Sequence, residues 1–286
     1  MDFERIIKDV ERLGINLYDF ALYTPDNGIQ AHHFQPCGNC HNSYSVAKAF
    51  ITAALGMLCD EGKIRMSDPL GQYFDFPENA DPRFSSATIE HAATHRLGFD
   101  EGFLDIDCED ASLYPTKDYL SIVLSHPLAH DPGTHEQYSD AAFYLLSRLI
   151  SQVTGERADV FLNRRLLQPL SFREAAWSRC PQDYPIGATG LYIGAADMVK
   201  LGALYLRDGV WQGERLLSSD WTKTAIEKEY ELHPVFPDAP SCDLIGKWGM
   251  YGQLLAFSRK KNFAIAFHAH ALHEDIQPLV EYLSAL

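Results

Sequence analysis

The stretch "SVAKAFITAALGMLCDEG", residues 45 to 62, is apolar on nearly every face a helix could present. Such a helix cannot rest on a surface with one side wet. It has to pass through the middle of a protein with other elements packed around it. The 286 residues of the chain supply that covering, as one large domain or as two lobes sharing a core. Ser45 opens the run as its expected N-cap, and Lys48 follows one turn later.

The flanking sequence predicts what covers this helix. Phe3, Ile6, Ile7 and Val10 recur at helical spacing before Gly14, which reads as a first helix over residues 2–13. "NLYDFALYTPDNGIQAHHF" then reads as two strands around a Pro-Asp-Asn-Gly turn. Residues 63–185 alternate helical runs (117–125, 140–154, 158–167) with Pro- and Asp-rich loops and show few strands. A further helix is expected over 195–208, closed by Gly209, then two strands around an Arg-Lys-Lys-Asn turn and a terminal helix. The expectation is an α+β chain: one antiparallel sheet built from both ends, flanked by N- and C-terminal helices, with a mainly helical lobe inserted. In domain terms, residues 1–286 form one unit, with an α/β lobe over 1–62 and 186–286 and a helical lobe over 63–185.

Charge narrows the partners. A formal net charge of -15 sets the surface against nucleic acid and anionic membranes. The N-terminus is acidic and amphipathic, unlike a signal peptide, and no stretch nears the ~20 apolar residues that span a bilayer. Six cysteines show no dense framework. A cytoplasmic protein with free thiols is expected.

Ser45 and Lys48 are three apart, so on a helix they share a face and can touch. A serine hydroxyl needs a base to become a nucleophile, and a lysine can be that base if burial or neighbouring charge depresses its pKa. A helix N-terminus also favours an anion forming beside it. The same pair of residue types is common by chance: Ser258 and Lys261 repeat the spacing in a presumed hairpin turn, where no function is assigned. Further parts do appear. Tyr138, Ser139 and Asp140 stand in a turn directly before an apolar helix, and Lys247, Trp248 and Gly249 at the start of a strand.

Together these three pieces resemble the serine beta-lactamase and penicillin-binding protein superfamily, in the class C-like branch that includes DD-peptidases and carboxylesterases. "YSD" at 138–140 resembles the family's Tyr-x-Asn, and "KWG" at 247–249 its Lys/His-x-Gly. "ATIEHAATHRLGF" (87–99), "PGTHEQYSDAAFYLLSRLISQVTGE" (132–156) and "GLYIGAADMVKLGALYLRDGVWQGERLLS" (190–218) resemble its non-catalytic stretches, so the likeness covers nearly the whole chain. The resemblance implies a beta-lactamase/transpeptidase-like fold. It implies Ser45 as the acylated nucleophile, Lys48 as its base, and Tyr138 as a proton shuttle whose phenol is kept partly ionised by Lys48 and Lys247. The backbone N–H groups of Ser45 and Met250 would form the oxyanion hole, and Gly249 would let the strand approach the substrate. The Gly-x-Ser-x-Gly elbow of alpha/beta-hydrolases is absent.

Two positions depart from the family. Asp140 replaces the usual Asn, which adds an acceptor-only negative charge close to Lys48. Trp248 stands where members acting on beta-lactams or D-Ala-D-Ala carry Thr or Ser, and is expected to suit an uncharged acyl group better than a carboxylate. Substrate contacts are therefore assigned to Asp140, Lys247, Trp248 and Gly249.

Other candidates read as structural. Cys37 and Cys40 have a Cys-x-x-Cys spacing near His32, His33 and His41, but no second knuckle completes a zinc site. His268 and His270 alternate on one strand face without a third ligand, and His91 and His95 lack the Glu of a zincin motif. Residues 100–111, "DEGFLDIDCEDA", are an acidic solvated loop that borders the active-site mouth rather than a calcium loop. The expectation is a serine hydrolase acting through an acyl-enzyme on small esters or amides, with no metal or organic cofactor and an unassigned oligomeric state. A DD-peptidase or weak beta-lactamase is the alternative within the same chemistry. A catalytically silent scaffold that binds a ligand or partner is the alternative outside it.

Overall fold

The computed structural model describes residues 2–36, 38–237, 242–271 and 273–285. Helix α1 (Phe3–Leu13) is capped by the Asp2 carboxylate, which accepts from the Arg5 N–H, and is ended by Gly14 at φ 68. Strands β1 (Leu17–Thr24) and β2 (Gly28–His33) form the expected hairpin, and β3 (His41–Asn42) leads to the central helix α2 (Ala47–Asp60). Helices α3 (Ile89–Ala93), α4 (Tyr119–Leu124), α5 (Asp140–Thr154) and α6 (Ala158–Leu162) follow, then β4 (Ala176–Trp177), β5 (Leu191–Ile193) and α7 (Ala195–Leu206). The chain closes with β6 (Val210–Trp211), β7 (Glu214–Arg215), α8 (Ser219–Glu227), β8 (His233–Pro234), β9 (Ile245–Gly249), β10 (Gln253–Ser258), β11 (Phe263–Ala269) and α9 (His273–Ala285).

Among the described residues the main sheet has six antiparallel strands in the order β2-β1-β11-β10-β9-β8, so strands from both ends of the chain do meet in one sheet. Strand alternation sorts its side chains into two cores. Phe20, Leu22, Leu254, Ile265 and Phe267 join α1 and α9 on one side. Ala21, Tyr23, Leu255, Phe257, Ala264 and Ala266 face α7 and α2 on the other. Helix α2 is buried at every position from Ala47 to Leu58, as its all-round apolarity demands. Each large side chain on it, such as Phe50, Ile51 or Leu55, contributes about 1.5–3 kcal/mol by leaving water. No helix among the described residues is long and apolar enough to cross a membrane.

Two expectations need correction. Residues 247–249 do not open the penultimate strand; they end a strand of their own, β9, paired antiparallel to β10 with Trp248 opposite Leu254. His268 does not lie on a polar strand face: it is fully buried on β11, while His270 falls just beyond that strand.

Candidate active site

Ser45 is not the N-cap of the central helix. Tyr44, in the left-handed region at φ 47, turns the chain into a short 3-10 turn, Tyr44–Val46, and α2 begins only at Ala47. The Ser45 hydroxyl is thereby released from capping and accepts from two side chains, Lys48 Nζ at 3.0 Å and Tyr138 Oη at 2.8 Å. Residues separated in sequence by 93 positions meet at one oxygen.

Lys48 is completely buried. Its Nζ donates to Ser45 Oγ, to Asp140 Oδ1 at 2.7 Å and to the Ala188 carbonyl at 3.0 Å. Three acceptors use all three donors of an ammonium, whereas a neutral amine has only two. Asp140, the first residue of α5, is therefore aimed at Lys48, as its charge suggested. Ser139 precedes it at the helix N-cap, with its own Oγ turned to the Phe103 backbone at 3.3 Å.

Tyr138 is 45% exposed, with Lys48 Nζ at 4.8 Å and Lys247 Nζ at 5.0 Å from its ring centroid. Both ammoniums are where an ionised phenol would want them, yet the phenol titrates above the ordinary tyrosine value. Burial is the main cause; Lys247 pulls the other way, and the charges of Glu231 and Asp140 push up again. Each lysine arrives with its own carboxylate, which cancels much of its effect. That upward direction runs against the partly ionised phenol expected.

Lys247 and Trp248 part company because successive strand residues face opposite ways. Lys247 points to the nucleophile side. Trp248 points to the other core, where its ring lies 6.1 Å from Phe267 and 6.0 Å from Phe236, and its indole N–H donates to the Val235 carbonyl at 3.2 Å. The assignment of Trp248 as a substrate contact is thus corrected. Gly249, expected to let the strand approach the substrate, has a packing reason of its own: a Cβ there would stand 2.4 Å from the Ser43 carbonyl oxygen, so only glycine lets β9 lie this close to the nucleophile turn. Met250, whose N–H was assigned to the oxyanion hole, follows directly in a 3-10 turn, Met250–Gly252.

Glu231 carries no signature that sequence reasoning could find. It is buried, and its carboxylate joins His95 to Lys247: Oε1 accepts from His95 Nε2 at 2.6 Å, and Oε2 pairs with Lys247 Nζ. Burial opposes its ionisation, but Lys247 and then His95 outweigh it and hold the carboxyl below the ordinary range. His95 Nδ1 accepts from the Ser139 N–H at 3.2 Å, which leaves the ring proton on Nε2. A glutamate in the turn between α8 and β8 has no local pattern to betray it; only the partners, 136 and 16 residues away, do.

The acidic loop borders the site as anticipated, with Asp107 beside Thr189 and within 3.5 Å of Asn42. Burial raises the Asp107 carboxyl above its ordinary value despite the Thr189 hydrogen bond. Asp105, Asp107 and Asp140 bring carboxylate oxygens within 4.8 Å of one another, but Asp140 is engaged by Lys48 and no metal role is assigned. Behind the nucleophile, the buried Asp19 accepts from His268 Nδ1 at 2.8 Å, from the His268 N–H at 3.2 Å and from the Ala195 N–H at 2.7 Å. His91 closes a capping box with Thr88 on α3. Cys40 is a free thiol near Glu174, pushed up to about 11 by burial and that carboxylate; Cys37 lies outside the described residues.

Several known proteins are similar to this chain. The chain is 25% identical over 204 residues to the 6-aminohexanoate-dimer hydrolase of Paenarthrobacter ureafaciens, covering 65% of this chain and 50% of that protein. It is 23% identical over 234 residues to the D-alanyl-D-alanine-carboxypeptidase/endopeptidase AmpH of Escherichia coli (strain K12), covering 72% and 59%. The chain thus spans about half the length of the curated relatives it matches. Among solved structures, a putative 6-aminohexanoate-dimer hydrolase from Bacillus anthracis superposes with a TM-score of 0.81 at 16% identity, over 100% of this chain and 81% of that one. A D-amino acid amidase from Ochrobactrum anthropi superposes with a TM-score of 0.73 at 16% identity, over the whole of both chains. These likenesses show a beta-lactamase/transpeptidase-like fold. The beta-lactamase family model matches residues 38–283, and the chain belongs to the beta-lactamase family.

Proposed function

We propose that the protein is a serine hydrolase that cleaves small ester or amide substrates through an acyl-enzyme on Ser45. The convergence of Tyr138 Oη and Lys48 Nζ on Ser45 Oγ carries the reading. Relatives named as a dimer hydrolase and an amidase add support. In this reading the chain is a single catalytic domain with an α/β lobe over residues 1–62 and 186–286 and a helical lobe over 63–185, and it acts in the cytoplasm.

The chemistry follows from the contacts. Attack needs the minor form in which Tyr138 has lost its proton, a form the Lys48 and Lys247 ammoniums favour. The Ser45 hydroxyl proton passes to the phenolate as the Oγ–carbon bond forms. The N–H groups of Ser45 and Met250 hold the negative oxygen of the tetrahedral intermediate. Tyr138 then returns the proton to the departing alcohol or amine, leaving the acyl group on Ser45. In the second half, Tyr138 takes a proton from water as the water attacks the ester carbonyl, and returns it to Ser45.

Charge at the site selects among substrates. Lys48 is paired with Asp140 and Lys247 with Glu231, and Asp107 lies nearby. A substrate carboxylate would meet lysines already engaged and an unhelpful field. Uncharged acyl groups are therefore favoured over beta-lactams and D-Ala-D-Ala peptides, a preference that now rests on these pairs rather than on Trp248.

Intact-protein mass spectrometry after treatment with a fluorophosphonate tests the nucleophile, with Ser45→Ala as control and a penicillin and short-chain p-nitrophenyl esters in parallel. A phosphonyl adduct absent from Ser45→Ala, with ester turnover, is expected. Penicillin turnover in place of ester turnover would move the substrate class to beta-lactams. A folded protein that takes no adduct would sink the hydrolase reading and leave a ligand-binding scaffold.

A further inference from the structure

Glu231 is only 1% exposed and holds a left-handed backbone conformation, φ 60, which a residue with a side chain keeps only where its surroundings enforce it. Its two oxygens serve different partners, His95 Nε2 and Lys247 Nζ. Both partners lie against the same phenol. The His95 ring centroid is 4.4 Å from that of Tyr138, and Lys247 Nζ is 5.0 Å from it. The other nitrogen of His95 holds the backbone N–H of Ser139, the next residue. One carboxylate thus gathers the groups that fix the ring and the main chain of the residue reaching Ser45.

We propose that Glu231 is a positioning residue of this site: its carboxylate clamps Lys247 and His95 against the Tyr138 ring and sets how strongly Lys247 acts on the phenol. The inference rests on the reading that Tyr138 relays the Ser45 proton. Glu231 reaches the phenol through its two partners, so its substitution acts by geometry and by field. The charged and titratable groups involved are Lys48, Asp140, Lys247 and His95 around Tyr138, and His233 on β8, whose Nε2 stands 4.0 Å from Glu231 Oε2. With the carboxylate neutralised, Lys247 draws on the phenol unopposed, and Tyr138 gives up its proton at lower pH.

The test is the rate of Ser45 phosphonylation by a fluorophosphonate, followed by intact mass from about pH 5 to about pH 9, below the range in which the phenol titrates, so that the rate follows the small ionised fraction and climbs with pH. Glu231→Gln keeps an acceptor for His95 but removes the charge. At each pH its rate is expected to rise by about tenfold or more, the equivalent of a one-unit fall in the phenol's titration. Glu231→Asp keeps the charge one methylene shorter, so its rate should drop by about tenfold or more, as misplacement of catalytic groups does. A folded Glu231→Gln protein with a rate at or below that of wild type would overturn the clamp. If Glu231→Gln does not fold, by circular dichroism and melting, a Glu231→Asp protein with the wild-type rate would overturn it instead. A wild type that takes no label removes the acyl-enzyme reading and the clamp together, whereas a labelled wild type with unmoved variants removes the clamp alone.

Discussion

Asp140 Oδ1 lies 2.7 Å from Lys48 Nζ, closer than the 3.0 Å that separates the same nitrogen from Ser45 Oγ. The lysine beside the nucleophile is thus held first by a carboxylate and only second by the nucleophile's hydroxyl. That order has a cost in reactivity and a return in stability, since a buried ammonium without its carboxylate is strongly unfavourable.

Substituting Asp140→Asn should separate the two effects. The amide oxygen still accepts from Lys48, but one of the charges that push the Tyr138 phenol up is gone. Phosphonylation of Ser45 at neutral pH is expected to rise about tenfold, the equivalent of one pKa unit. Melting should report a loss of about 3 kcal/mol or less, because the pair is weakened rather than emptied.

Tyr138→Phe keeps the ring that packs on His95 and removes only the hydroxyl that reaches Ser45. The rate of ester turnover should fall by about 10²–10⁴, the usual worth of a positioned proton relay. Because the ring is 45% exposed, the melting temperature should hardly change. A matched loss of stability would mean that the hydroxyl is structural.

Gly249→Ala places a methyl carbon 2.4 Å from the Ser43 carbonyl oxygen, a collision of Cβ with backbone that no rotamer relieves. Strand β9 must move off the nucleophile turn, at about 1–3 kcal/mol of strain. An activity loss of about 100-fold is expected, since a displacement near 1 Å has that effect on a reacting geometry. Turnover of a p-nitrophenyl ester beside a denaturant melt measures both.

The buried cluster behind the nucleophile predicts an acid-side weakness. Burial pushes the Asp19 carboxyl up, but the hydrogen bond and charge of His268 and the Ala195 N–H outweigh it and leave it below its ordinary value of 3.8. A lowered carboxyl stabilises the fold above its unfolded value, and that stability is lost as pH falls through the folded one. His41 is lowered from 6.5, chiefly by burial and then by His268, so the folded state resists its protonation and stability also declines as pH falls below 6.5. Melting temperature should therefore fall in two stages on acidification, with Asp19→Asn flattening the lower and His41→Gln the upper. An acid limb unchanged in both variants would place the weakness elsewhere.

What could be read beforehand was whatever is local. The all-round apolarity of residues 45–62 announced a central helix, Pro25 to Gly28 announced the hairpin, and residues 138–140 were expected directly before the apolar helix that α5 proves to be. Side-chain direction was less accessible. Ser45 looked like a cap because the left-handed turn at Tyr44 leaves no mark in a tyrosine. Trp248 was placed at the substrate because its face depends on where β9 begins, and that is settled by pairing with β10. Glu231 and Asp19 were silent for a plainer reason: their importance lies wholly in partners that only the tertiary structure brings near.

Helix α2 has no solvent face along Ala47–Leu58, and Gly56 near its far end fits under the Trp221 indole so closely that a Cβ would stand 2.2 Å from it. A segment enclosed in this way cannot fray ahead of the rest of the molecule. On heating, the reactive serine should keep its environment until the interior gives way as a whole, so that inactivation and melting run as a single curve.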